Sequence, residues 1–343
     1  MKPLYTVIIC TRNEEQYVGR CLNSLLGGTY QLDRVQIIVC DGRSTDRTRI
    51  ILEEYARQHA CIKAVDNPGL TAPIGFNLGI KAAHGDYIAI LSAHSVVATD
   101  WIEQNVRALE EHSTAAGVGG RMITTCEGRW GAAIAIALSS RFGIGNSSFR
   151  VGARAGWVDT VVFGAYRRDT FRRFGLFDEE LVRNQDDEFN YRINARGGKL
   201  WFDPSIRTTY YSRSSLGQLY RQYAQYGYWK PLVLKKCPGV FGWRQLVPPF
   251  FILALTGSLL LGLFWWPALI FTAIVLASYA ATSIVASAFA ARGNSVLLLF
   301  LPFVFATVHY AYGAHFLWGT ICVALGRKPK PQHFALTRRT GKN

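Results

Sequence analysis

"YIAILSAHSVVATDW", residues 87–101, is an apolar run that stops abruptly at Ser92-Ala93-His94. Six residues of strand type, preceded by Gly85-Asp86 and followed by polar side chains, read as a strand buried on both faces. Three other runs have the same character: "YTVIIC" (5–10), "VQIIVC" (35–40) and "IKAV" (62–65). Helical patterns lie between them. Val18, Cys21, Leu22 and Leu25 recur on one face, and Ser44 or Thr45 with Asp46 offers a helix start before "RTRIILEEYARQ". Asp100 with Glu103 has the form of a capping pair ahead of Ile102, Val106 and Leu109. Strands alternating with helices predict an α/β domain with a mostly parallel sheet and flanking helices.

In such sheets ligands bind beyond the carboxyl ends of the strands. Thr11-Arg12-Asn13-Glu14 follows the first strand, Asp41-Gly42-Arg43-Ser44-Thr45-Asp46 the second, and Ser92-Ala93-His94 ends the fourth. Polar groups therefore converge on one edge. The chain has no G-x-x-x-x-G-K-[ST] and no G-x-G-x-x-G, which leaves ATPase and dinucleotide-binding readings without support.

The 343 residues carry 38 Lys and Arg against 23 Asp and Glu, a net charge of +15 that calls for an anionic partner. The excess of basic over acidic residues lies mostly near the apolar C-terminal part and no nucleic-acid module appears, so an anionic membrane and a phosphorylated substrate are expected rather than nucleic acid. Seven scattered cysteines lack zinc-type spacing and read as buried thiols of a reducing compartment. The apolar run near the N-terminus is too short for a signal-peptide core, which predicts a cytosolic N-terminal part.

Composition changes near residue 246. From Gln245 to Ala291 no side chain is ionised. A membrane helix needs about 20 apolar residues, and this run holds two such segments, about 247–264 and 267–289, separated by "FWWP" with tryptophans suited to an interface. The segment 295–325 is long enough for a third but contains Pro302, His309, Tyr310, Tyr312 and His315. The tail 326–343 is basic and acid-free, which the positive-inside tendency places in the cytosol. Both ends in the cytosol require an even number of crossings, so part of 295–325 is expected to be re-entrant or interfacial. Residues 214–245 mix Leu216, Leu219, Tyr220, Tyr223 and Tyr226 with Arg221 and Lys230, the pattern of an amphipathic interfacial linker.

"VIICTRNEEQYVGRCLNSLL", "IIVCDGRSTDRT", "NLGIKAAHGDYIAILSAH" and "NQDDEFNYRI", in this order, resemble a family-2 glycosyltransferase of GT-A fold, of the bacterial succinoglycan-biosynthesis type. The likeness spans about residues 4–245, with 1–213 as the catalytic domain. It implies inverting transfer of a sugar from a nucleotide-diphosphate donor, a UDP-sugar first, to a hydroxyl of a lipid-linked saccharide in exopolysaccharide or surface-polysaccharide synthesis at the inner membrane. Position by position, it puts Thr11, Arg12 and Glu14 at the nucleotide and Asp41 at the base, where a carboxylate can accept the N3–H of uracil.

The family usually places Asp-x-Asp at the end of the fourth strand, the last carboxylate holding Mg or Mn against the diphosphate. Here Ser92 and His94 stand in those positions. Imidazole suits Mn better than Mg, so the resemblance implies a divalent cation, Mn first, with His94 as its ligand. His94 as a direct donor to the diphosphate and His94 as a structural residue are the other readings. Ser92, counted on the donor side, lacks the aspartate's charge.

In residues 184–193 the resemblance puts the general base at Asp186, with Gln185 where glutamate is common and Asp187, Glu188 and Arg192 on the acceptor side. An attacking hydroxyl must lose its proton, which a carboxylate can take. Gly164 in "GAYRR" falls in an acceptor-side loop, "SSRFGIGNSSFRVGARAGW" (139–157) in a mobile loop over the donor, and Arg221 in a chain-binding segment. A polyprenyl-phosphate sugar synthase and a nucleotide-sugar-binding scaffold without turnover are the competing functions.

Overall fold

The computed structural model describes residues 2–145, 148–152, 154–240 and 242–327. The chain divides into two compact units: one runs to Ile123 and resumes for the segment that ends at Tyr211, and the other takes Thr124–Asn146 and Ser212 onward.

The first unit is built on strands β1 (Tyr5–Thr11), β2 (Val35–Asp41), β3 (Ile62–Asp66), β4 (Tyr87–Ser92), β5 (Ser95–Val97), β6 (Ala115–Thr125), β7 (Gly156–Val158), β8 (Ala165–Arg167) and β9 (Lys199–Tyr211). Their order is β3-β2-β1-β4-β8-β6-β9-β5, with β7 paired to β9. The first four strands are parallel, in the register Cys10↔Cys40 and Cys10↔Ser92. Beyond β4 the pairing turns antiparallel: β8 runs against β4 and β6, and β9 against β5 and β7. The sheet is thus parallel on one half and antiparallel on the other.

Helices α1 (Val18–Leu26), α2 (Thr48–Gln58), α3 (Ala72–Ala82) and α4 (Trp101–Glu111) flank the parallel half. Val18, Cys21, Leu22 and Leu25 are buried as their spacing predicts, in one core with Val7, Ile9, Val39 and Leu91. A second core on the opposite face joins Ile8, Ile38, Phe76 and Ile90 to Phe171 and Phe189. Of the candidate caps, Asp46 accepts the Thr48 N–H at 3.0 Å, whereas Ser44 turns to Asp41. The Asp100 and Glu103 capping pair does not form. Asp100 accepts from Gln104, and Glu103 is drawn away by Lys2 and the Thr29 hydroxyl.

The second unit takes α5 (Gly128–Ala137) and α6 (Arg141–Ile144), which follow β6 in the chain, and the short α7 (Ser148–Val151), α8 (Arg168–Phe174) and α9 (Gln185–Ala195) return to the first. Helices α10 (Leu216–Lys236), α11 (Val247–Gly262), α12 (Pro267–Ala291) and α13 (Ser295–Ala324) complete the second. The chain from Trp243 through α11, α12 and α13 makes three helices long and apolar enough to cross a membrane. The Ser258 and Thr272 hydroxyls meet at 2.6 Å between α11 and α12, and Tyr279 meets His309 at 3.0 Å between α12 and α13.

The segment expected to be re-entrant is one continuous helix capped by Asn294. Pro302 removes a single backbone donor without breaking it. Helix α10, expected on a membrane surface, lays Leu219, Tyr223 and Tyr228 inward and approaches α13 closely: a Cβ at Gly227 would lie 2.3 Å from the Tyr312 carbonyl oxygen. The basic tail from Lys328 on lies outside the described residues, and so do Asn146, Ser147 and Ala153 of the expected mobile loop. Near the start of that segment the Phe142 carbonyl accepts from His309 Nε2 at 3.0 Å.

Candidate active site

The carboxyl ends of β1, β2 and β4 lie side by side, so their loops share one edge. Backbone strain gathers there. Asn13, Arg43, Leu70, Phe163 and Asn184 all have φ between +49° and +63° on loops that reach this edge or open α9. Non-glycine residues hold such angles only where the surroundings enforce them. Asn13 shows how: its N–H donates to Ser44 Oγ at 2.9 Å, and its side-chain oxygen accepts the Thr45 N–H at 2.8 Å. These bonds tie the first loop to the second.

Glu14 is set by this tie. Its N–H donates to Thr48 Oγ1 at 2.8 Å, and its carboxylate Oε1 stands 3.0 Å from His94 Nδ1. The side chains are only 9% and 14% exposed. The Ser92 hydroxyl lies 3.2 and 3.3 Å from the two ring nitrogens. The Tyr210 ring abuts the imidazole at 4.8 Å between centroids. Burial first, and then the Glu14 charge, pushes the neighbouring Cys21 thiol up to about 12. Thus Glu14, Ser92 and His94 are brought together.

Thr11 and Asp41 are register partners at the same edge, both buried. Asp41 accepts from the Ser44 N–H at 3.1 Å and from its hydroxyl at 2.5 Å, so the turn already engages it. Among the described residues no partner meets Thr11 Oγ1 or Arg12 Nε, although both atoms are buried. Buried polar atoms without partners mark a place where a ligand can supply them.

A second group of residues lies at the start of α9. Asn184 precedes the helix in a left-handed conformation, and Asp186, Asp187 and Glu188 fill its first turn. Burial first, and the charge of Asp186 second, raises the Tyr166 phenol far above its ordinary range. Tyr166 donates to Asn190 at 3.2 Å, and a Cβ at Gly164 would come within 2.7 Å of its hydroxyl. Gly164 and Asp186 therefore flank one tyrosine. The strained Phe163 packs its ring 6.1 Å from Tyr210, which also touches His94, so β8 and β9 bridge the two groups.

Glu188 and Arg192 pair with each other. They form a two-pronged ion pair at 2.8 and 2.7 Å, and Arg192 also donates to the Phe174 and Leu176 carbonyls. The pair clamps the loop after α8. Arg221 is exposed on α10 in the second unit. Sequence reasoning passed over Tyr166 and Tyr210. Nothing in local pattern distinguishes them from other strand aromatics.

Residues 6–175 match the family described as glycosyl transferase family 2. The chain is 33% identical over 265 residues to the dolichyl N-acetyl-alpha-D-glucosaminyl phosphate 3-beta-D-2,3-diacetamido-2,3-dideoxy-beta-D-glucuronosyltransferase of Methanococcus voltae, covering 75% of this chain and 82% of that protein. The chain belongs to the family-2 glycosyltransferases. This glycosyltransferase is also 27% identical to the succinoglycan biosynthesis protein ExoA of Rhizobium meliloti, over 71% of its own length and 73% of the relative's. Among solved structures, the mannosyltransferase PcManGT from Pyrobaculum calidifontis, in complex with GDP-Man and Mn2+, matches with a TM-score of 0.58 at 19% identity, covering 94% and 88% of the two chains. TarS 1-349 of S. aureus, in complex with UDP-GlcNAc, matches at 0.51 and 18%, covering 95% and 93%. At these identities the likeness is one of fold, and the fold is GT-A-like.

Do the residues of this glycosyltransferase suit a divalent cation? Among the described residues no three His, Cys, Asp or Glu side chains converge as a ready ligand set. His94 beside Glu14 offers one nitrogen with a carboxylate behind it. That donor set would suit a divalent cation only if bound substrate and water supplied its other ligands.

Proposed function

We propose that this glycosyltransferase is an inverting enzyme that moves a sugar from a UDP-sugar to a hydroxyl of a lipid-linked saccharide, in surface-polysaccharide assembly at the plasma membrane. The observation that carries this reading is the placing of Asp186 beside Tyr166 and Gly164, joined through Phe163 and Tyr210 to the strand end that bears His94. Asp186 takes the proton of the acceptor hydroxyl as its oxygen attacks the anomeric carbon. The bond from that carbon to the diphosphate breaks on the opposite side, and the nucleoside diphosphate leaves.

Thr11, Arg12 and Asp41 hold the nucleoside, with Asp41 reading the base once it shares its carboxylate with Ser44. Ser92 and His94 face the diphosphate, and a cation bound at His94 would neutralise charge on that leaving group. Asp187 and Gly164 line the acceptor side. The Methanococcus voltae relative, whose name carries a dolichyl-linked sugar phosphate, supports a lipid-linked acceptor. Three apolar helices support membrane attachment, with the catalytic unit in the cytosol.

The test is turnover of a panel of UDP- and GDP-sugars by membranes containing the full chain and a polyprenyl-linked acceptor, with EDTA and then with Mn or Mg restored. Transfer from a UDP-sugar, lost in EDTA and restored best by Mn, is the expected result. Transfer to polyprenyl phosphate itself would make the chain a polyprenyl-phosphate sugar synthase instead, and donor binding without consumption would make it a scaffold.

A further inference from the structure

The loop between β7 and β8, residues 159–164, is fastened to the helix that bears Asp186 by one buried amide. Asn190 lies one turn after Asp186 on α9 and is 1% exposed. Its Nδ2 donates to the Thr160 hydroxyl and to the Val161 carbonyl, both at 2.8 Å, and its Oδ1 accepts from the Tyr166 hydroxyl at 3.2 Å. A side-chain amide has two N–H donors, so both are spent on the loop while the oxygen holds β8. Asn194, a further turn along, donates to the Asp159 carbonyl at 2.7 Å and to the Asn190 carbonyl at 2.9 Å.

The other end of the same loop is fastened to the strand that ends at Ser92. The Ile90 N–H of β4 donates to the Gly164 carbonyl at 3.0 Å. Phe163, with φ at +49°, packs 6.1 Å from Tyr210, whose ring abuts His94. Between these ends the loop is pressed onto the sheet: a Cβ on Gly119 of β6 would lie 2.6 Å from the Val161 Cβ. Residues 159–164 therefore span from the α9 face that carries Asp186 to the strand end read as the diphosphate site, and Asn190 fixes one end of that span.

We infer that Asn190 is a positioning residue that sets the reach of Asp186 toward the acceptor hydroxyl without touching substrate itself. The inference rests on Asp186 as the general base, as read under Proposed function. Proton transfer and attack tolerate little error in distance, and about 1 Å of misplacement can cost about 100-fold in rate. An apolar residue at position 190 would leave the Thr160 and Tyr166 hydroxyls and the Val161 carbonyl to find other partners, which loosens the loop from the helix. An aspartate would offer no donor to the loop and would add a like charge one turn from Asp186.

A double-mutant cycle on the full chain in membranes tests this, with sugar transfer and UDP affinity measured for the wild type, Asn190→Ala, Asp186→Asn and the double variant. Asn190→Ala should lower kcat about 10- to 100-fold with UDP affinity kept. In the Asp186→Asn background the same substitution should cost at most about twofold, because no base is left to place. A residue that only supports the fold would lower both backgrounds alike. Equal losses in the two backgrounds would overturn the inference and leave the base standing, and so would an Asn190→Ala enzyme with full turnover. Full turnover in Asp186→Asn would remove the base from the proposed function, and this inference with it. Should Asn190→Ala fail to fold, Thr160→Val removes one of the three bonds at a half-buried site and completes the same cycle. Its expected loss is about fivefold, confined to the background that keeps Asp186, and an equal loss in both would again overturn the inference.

Discussion

Three carboxylates in consecutive positions at the start of α9 have different surroundings. Glu188 is buried in its ion pair with Arg192, while Asp186 and Asp187 are half-buried at the helix start, and Asp186 acts on Tyr166. Asp186→Asn should therefore lower turnover by about 100-fold or more, the usual effect of losing a general base, with nucleotide binding kept. Full turnover in that variant would remove Asp186 from the mechanism. Glu188→Ala should act on stability, costing about 3–5 kcal/mol because it strands the Arg192 guanidinium. Denaturant unfolding of the pair of single variants and the double variant would separate that stranding from the worth of the bond. Gly164→Ala places a methyl against the Tyr166 hydroxyl and should impair transfer more than it impairs donor binding, which rates at several acceptor concentrations would reveal. The acidic run was legible as a run. The Glu14 to His94 pairing was not, because it depends on β1 and β4 becoming neighbours.

Among the elements, the parallel strands could be read from sequence because each is an unbroken apolar run closed by a polar loop. The antiparallel half could not. β6 carries Gly117, Gly119 and Gly120, which look like a loop until Ile206 is seen to leave no room: a Cβ at Gly120 would lie 2.0 Å from its carbonyl oxygen. β9 hides behind Asp203 and Pro204. Helix α4 bears a pH-dependent contact, because the Thr29 hydroxyl first, and then Lys2, holds the Glu103 carboxyl below its ordinary value of 4.5. A lowered folded pKa gives stability that is present above 4.5 and is lost as pH falls through the folded value. Glu103→Gln should flatten that acid limb in a pH series of melting temperatures.

At the scale of the whole molecule, three apolar helices follow a catalytic unit that carries most of the polar chemistry. The acid-free C-terminal part leads us to expect both chain ends in the cytosol, with two of the three helices crossing in full. Reporter fusions at the two ends would both read cytosolic. A C-terminal reporter on the far side would make α13 a third crossing.

The segment that holds α5 and α6 is threaded early in the chain, but its packing partners come last. Ile134 and Ala137 of α5 share a core with Leu301 and Phe305 of α13. At ribosomal speeds of 5–20 residues per second, roughly ten to thirty seconds pass between the synthesis of the two. Throughout that interval the apolar face of α5 waits without its partner. That core can therefore close only after nearly the whole chain has been made, and the catalytic fold before it must form while this part of the molecule is still open.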